Sequence, residues 1–294
     1  MSHPRAYVVS SGSETLSVID TNSHSVIASI PLGHEPMIPA LSPDRKTLVV
    51  SNRDSFNITA IDTSDIRIIR TVDVQDGACG CAFAVDGSRV FVANEYSHTV
   101  SVIDTGNWIA TKHINVDHGP CDLIATPDGK YVVVTNEETH TTTILSAKTL
   151  EIEHVVPTPE GPLGLAIDSA GAFVLVACFI SNHIHAIDTR SWKKVWTASI
   201  GSSHVGCCQA HVRRIALVSN SDHDHISVVD LQCRQEISRV KVGANPAVIR
   251  MLPPTTIAYV TERGGDSVSV VDVSTCRRLK TIEVGCSPLG LCVG

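Results

Sequence analysis

Runs of alternating apolar and polar residues recur along the whole chain, as in L-S-V-I-D (16–20), V-S-V-I-D (100–104) and V-S-V-V-D (268–272). A period of two predicts β-strands, because successive side chains point to opposite faces of a sheet. Asp20, Asp62, Asp104, Asp188, Asp230 and Asp272 each end such a run and share a register of 42 residues, with Ser146 in the remaining place. Ten residues upstream, a second register reads Ser10, Asn52, Asn94, Asn136, Cys178, Asn220 and Glu262. A third reads Pro36, Ala78, Pro120, Pro162, His204, Pro246 and Pro288. Seven units of 42 account for all 294 residues, so the chain reads as a single domain, 1–294, without insertion or linker.

Each unit holds four short strands separated by turn signals, for example F-V-A-N, V-S-V-I-D, H-I-N-V and C-D-L-I-A-T before P-D-G-K. Four strands in each of seven units predict an all-β fold, a seven-bladed β-propeller of four-stranded blades. One blade cannot bury both its faces, so neighbours stack and the ring closes. Residues 6–32 supply three strands, and Leu289–Val293 supply a fourth. The C-terminal strand is therefore expected to join the N-terminal blade.

Composition narrows the function. The chain is 43% hydrophobic but only 4% aromatic, with ten cysteines and a net charge of −7. An aliphatic, β-branched core suits strands. Net negative charge argues against a nucleic-acid partner. No apolar run is long enough for a membrane span, and no secretory signal opens the chain. Reduced cysteines, a cytoplasmic location and a monomer are the expectations.

The segments V-A-N (92–94), V-T-N (134–136), V-S-N (50–52 and 218–220) and Y-V-T-E (259–262) each precede a strand ending in Asp. With S-P-D-R-K (42–46) and T-P-D-G-K (126–130), they resemble the YVTN-repeat β-propeller family over the full length. The resemblance implies the seven-bladed fold. It leaves function open, because such propellers include binding scaffolds, cofactor holders and enzymes. Antibiotic lyases and lactonases with seven blades are parallels, but the lyase pattern places His after the entry Pro. Here those places hold Met37, Cys121, Leu163, Ala247 and Leu289, so the lyase residues do not carry over.

Two turns of each unit share one rim, represented by residues 10–15 and 33–38 and their repeats. These windows contain 14 carboxylates and eight histidines but only two cations, Arg53 and Arg263. Turns favour Asp, Asn and Ser for backbone reasons, yet that explains neither the glutamates nor the missing lysines. A concave, polar, negatively charged mouth is the expected ligand face. Within it, the departures from the register mark candidates. His204, Glu35, His118 and Cys207 are expected catalytic groups, with His and carboxylate as acid and base. Phe179, Cys178, Arg53, Glu95, Glu137, Glu262 and Arg263 are expected to contact substrate. The cofactor expectation is none or a divalent metal, with His34, His118, Asp76 and Glu160 as candidate ligands. Most cysteines are expected to pack the channel as small hydrophobes. Together these predict an enzyme acting on a small molecule at the mouth: a lyase, lactone hydrolase or cyclase/isomerase. The alternative is a non-catalytic scaffold that binds a protein or ligand, favoured by the absence of a longer lid loop.

Overall fold

In a computed structural model the chain forms seven four-stranded antiparallel sheets. Residues 4–167, 170–200 and 215–294 are described in full, together with the backbone of 204–210. Blade 1 joins the last strand, Pro288–Val293, to Arg5–Ser10, Thr15–Asp20 and Ser25–Pro31. Its closing seam pairs Tyr7 with Cys292 and Val8 with Leu291. Blades 2 to 7 follow in chain order, each running from the innermost to the outermost strand, as in Pro36–Leu41, Thr47–Asn52, Asn57–Asp62 and Arg67–Asp73 of blade 2. The expected ring closure is observed. Among the described residues no helix is long and apolar enough to cross a membrane.

The two middle strands of a blade are buried along nearly their whole length, as in Thr47–Asn52 and Asn57–Asp62. Their alternate faces pack against the preceding and following blades. One apolar cluster joins Val133, Ile144 and Val156 of blade 4 to Val174, Val176 and Ile187 of blade 5. Outermost strands bury mainly one residue near their end, such as Val72, Ile114, Val156, Val240 and Ile282.

Two local devices position the site. The strand-end Asp residues cap the turns of the far rim, Asp20 accepting from the backbone N–H groups of Asn22 and Ser23 and Asp188 from those of Arg190 and Ser191. This register therefore serves the blade. On the near rim, every innermost strand slips register after its first residue. In blade 2, Pro36 pairs with Asn52 but Pro39 with Val50, and equivalent shifts occur in the other six. Such a bulge adds one residue and re-aims side chains. It delivers Met37, Cys79, Cys121, Ala247 and Leu289 into one apolar cluster at the centre of the ring.

Candidate functional site

That cluster floors a cavity of about 190 Å³ at the near-rim mouth of the channel. Its walls come largely from the first turn residue after each second strand. The backbone N–H groups of Arg53, Glu95, Glu137 and Arg263 donate to the entry-turn carbonyls of Glu35, Gly77, Gly119 and Asn245. All four side chains line the cavity, whereas Phe179 and Ser11, clasped in the same way to Gly161 and Ser287, do not. Two walls of opposite charge result: Arg53 and Arg263 from blades 2 and 7, Glu95 and Glu137 from blades 3 and 4.

Arg53 ties the walls together. One of its terminal nitrogens donates to Glu95 Oε2 at 3.3 Å, and its guanidinium lies 5.4 Å above the Tyr96 ring. Its Nε is 3.3 Å from Glu35 Oε2, a charge contact that lacks hydrogen-bond alignment. Glu35 has φ +46°, where the equivalent residues of blades 3, 4 and 5 are Gly77, Gly119 and Gly161. The left-handed backbone belongs to the turn, since Asn245 and Ser287 share it at φ +53° and +51°, and a side chain there costs roughly 1 kcal/mol. Burial pushes the Glu95 carboxyl above the usual carboxylate range, with Arg53 opposing and Glu137 adding to the rise. Among the described residues Arg263 makes no ion pair within 4 Å.

Below the glutamates, Cys121 Sγ donates to Glu137 Oε2 at 3.4 Å and lies beside Cys79. The neighbouring Cys79 thiol, then desolvation, push the Cys121 thiol far up. Deeper in the cavity lie Asp122 and Arg250. Asp122 accepts backbone N–H groups of Leu123 at 2.9 Å and Leu165 at 3.1 Å, clamping blade 4 to blade 5. Burial raises its carboxyl, and Arg250 pulls it back. Sequence reasoning missed Arg250. The signal was present, because it is the only charged residue in a register otherwise of Ala40, Ala82, Ile124, Ala166, Cys208 and Cys292.

The remaining candidates scatter. Glu262 and Cys178 are fully buried and cannot touch a ligand, which corrects the expectation that they bind substrate. Glu262 fills the Asn position of blade 7. It accepts Gly243 N–H at 2.6 Å and Ser267 Oγ–H at 2.5 Å, and Ser269 donates to it as well. In blades 2, 3 and 4 the amides of Asn52, Asn94 and Asn136 meet the equivalent side chains. Cys178 packs into the core between blades 4 and 5. Phe179 lies over Gly161, where an added Cβ would meet its ring at 2.8 Å, and does not line the cavity.

His34 is exposed and bonds Glu14 at 2.9 Å. Asp76 and Glu160 stand exposed in separate entry turns. His118 stacks on His98 at 4.2 Å and groups with Glu138. The side chains of His204 and Cys207 lie outside the described residues.

Residues 74–195, spanning blades 3 to 5, match the YNCE-like beta-propeller family. No curated protein matches the chain in sequence. Kuenenia stuttgartiensis hydrazine synthase has a similar structure, with TM-score 0.80 and 19% identity over 87% of this chain and 88% of that one. The dihydro-heme d1 dehydrogenase NirN gives 0.74 and 17%, over 95% of this chain, which spans only 63% of NirN. The Pseudomonas aeruginosa periplasmic gluconolactonase PpgL gives 0.81 and 18%, over 99% of both chains. At such identities the likeness establishes fold alone. With seven closed blades of one 42-residue repeat, the chain is a seven-bladed β-propeller, and its blades 3 to 5 are similar to the YNCE-like beta-propeller family.

Proposed function

We propose that the protein is an enzyme acting on a small anionic metabolite held in the channel mouth. The observation that carries this reading is the cavity itself: an apolar floor between walls of opposite charge built from one register of the repeat. Its volume of about 190 Å³ lies below the ~300–1,000 Å³ of drug-sized pockets, which suits a compact substrate. Arg263 is the anchor for a carboxylate or developing oxyanion, Arg53 positions Glu95, and the reacting group faces Glu95 and Glu137. Apolar Met37, Leu163 and Leu289 limit water around it. Lactone hydrolysis, elimination and cyclisation all develop negative charge on oxygen, so each gains from such an anchor.

The gluconolactonase among the structural neighbours makes lactones the first substrates to try. Wild-type protein is expected to consume at least one member of a panel of lactones, hydroxy acids and unsaturated acids followed by NMR. Glu137→Gln should abolish that turnover, and Arg263→Gln should raise KM. Binding without turnover, lost gradually as wall residues are changed, would favour the second reading, a non-catalytic binding module. The strict 42-residue repeat, which leaves no lid, supports that alternative. In either reading the eight described cysteines, all free, suit a reducing compartment.

A further inference from the structure

The two acidic residues of the mouth do not stand alone. Blade 3 places Cys79 on the floor and Glu95 on the wall, and blade 4 places Cys121 and Glu137 at the same two positions 42 residues later. The motif is Cys-x15-Glu, twice, in adjacent blades. The corresponding pairs of the other blades are Met37 with Arg53, Leu163 with Phe179, Val205 with Ser221, Ala247 with Arg263 and Leu289 with Ser11. No other blade has either residue at its position. Donor atoms of Glu95, Cys121 and Glu137 lie within 4.8 Å of one another, and Cys79, just outside that group, packs with Cys121 in the same cavity floor. Both thiols are more than nine-tenths buried, at 8% and 6% exposure, yet both face the cavity.

From this duplicated pair we infer that Cys79, Glu95, Cys121 and Glu137 form a binding site for one thiophilic divalent cation of the zinc class. Two sulfurs and two carboxylate oxygens are a donor set that zinc accepts in four-coordinate geometry. Magnesium and calcium, which demand oxygen alone, are excluded by the thiols. Arg53 leaves one oxygen of Glu95 free, since it engages Oε2, and so orients that carboxylate from behind. Binding forms two metal–sulfur and two metal–oxygen bonds and releases the two thiol protons to solvent. Affinity therefore rises with pH. The site carries four negative charges against two on the ion, and Arg53 lies beside it to offset part of the excess.

The cluster of His98, His118 and Glu138 is the rival metal site. It is weaker on chemistry, because His98 Nδ1 accepts the Gly119 N–H at 3.2 Å. That bond puts the proton of the neutral ring on Nε2 and leaves no free lone pair for a metal.

The test is zinc binding by chelator-treated, full-length protein, measured by competition with a chromophoric chelator. Cadmium serves as a second probe through its ultraviolet sulfur-to-metal charge-transfer band. We expect one ion per chain, the cadmium band, and slowed alkylation of Cys79 and Cys121 but not of exposed Cys233. Cys121→Ser and the near-isosteric Glu137→Gln should each weaken zinc binding by more than the roughly 10–100-fold lost when only an outer supporting residue changes. His118→Ala and Cys233→Ser should leave it unchanged. No bound zinc, or zinc whose affinity ignores Glu137→Gln and falls with His118→Ala, overturns the inference. If Cys121→Ser fails to fold, Glu137→Gln and the alkylation pattern still decide. The inference shares its cavity with the enzymatic reading, but its readouts are independent of turnover. Zinc binding without turnover removes the enzyme alone, and turnover by metal-free protein with no zinc affinity removes the metal alone.

Discussion

Glu262 and Glu95 differ by one place in the repeat, and their fates are opposite. Glu262 ends the second strand of blade 7 and is completely buried, its carboxyl filled by three donors. Glu95 is the first turn residue of blade 3 and faces the cavity, its carboxyl shared with Arg53. The last strand position points into the space between strands, where the Asn amides sit in other blades. The next position is clasped by the entry turn, and in blades 2, 3, 4 and 7 its side chain lines the channel mouth. Two acids on one rim are thus a structural plug and a cavity wall, and strand alternation alone decides which is which.

The most severe way to break that comparison is Glu262→Ala. It strands the Gly243 N–H and two serine hydroxyls in a dry site. Unsatisfied buried donors cost about 1–3 kcal/mol each, partly relieved by relaxation, so a loss of about 3 kcal/mol is expected. Thermal unfolding should show it as a Tm lower by roughly 6–12 °C. Glu137→Gln, on the cavity wall, should move Tm by no more than about 1–2 °C. Equal effects of the two variants would erase the distinction between plug and wall.

A smaller effect comes from blade 5, where the plug register departs without being refilled. There His185 takes the place held by Ser17, Thr59, Ser101, Thr143, Ser227 and Ser269. It is 3% exposed, bonds Thr197 through Nδ1 at 3.0 Å, and its Nε2 has no partner. Desolvation, with Lys194 adding to it, lowers its pKa to about 4 from an ordinary 6.5. The unfolded chain therefore binds a proton that the folded chain refuses between those values. Stability is fully present above pH 6.5 and falls as pH drops towards 4, by roughly 2–3 kcal/mol at pH 4.5. Denaturant unfolding at pH 7 and pH 4.5 should show the gap between wild type and His185→Ser changing by about that amount. Parallel pH profiles would place His185 in a wetter site than its burial implies.

What could be read from the sequence follows from where the repeat constrains it. The blade count, the closing strand and the rim of Arg53, Glu95, Glu137 and Arg263 were legible, because 42-residue registers fix which turns share a face. Side-chain direction at adjacent positions was not legible. The places of Asn52 and Arg53, and their repeats, read alike as turn, which groups Glu262 and Cys178 with the cavity residues. The bulge after Pro36 was equally hidden, because one extra residue in a strand leaves no mark on alternation this short. It turned cysteines that looked like packing into neighbours of two carboxylates. Phe179 looked like a ligand wall, but Gly161 leaves room for its ring to lie down over the entry turn.

The finest test of the comparison lies in the wall itself. If Glu95 belongs to a cavity and not to a plug, its tie to Arg53 is a partly hydrated ion pair. Both side chains keep some exposure, 25% for Arg53 and 20% for Glu95, so water and salt reach the pair. Half-buried charge pairs of this kind contribute about 1 kcal/mol or less, reduced as ionic strength rises. A double-mutant cycle of Arg53→Gln and Glu95→Gln should return a coupling of that size in low salt and roughly half of it in molar salt. The single change Arg53→Gln should cost somewhat more than the coupling, because the guanidinium also leaves the Tyr96 ring and Glu35. With Arg53 gone, Glu35 keeps the cost of left-handed backbone but loses its charge contact. Glu35→Gly should then be neutral or stabilising in the Arg53→Gln background and less favourable in the wild type. A salt-independent coupling of several kcal/mol would instead mean that the mouth is sealed and dry, and that Glu95, like Glu262, is there to hold blades together.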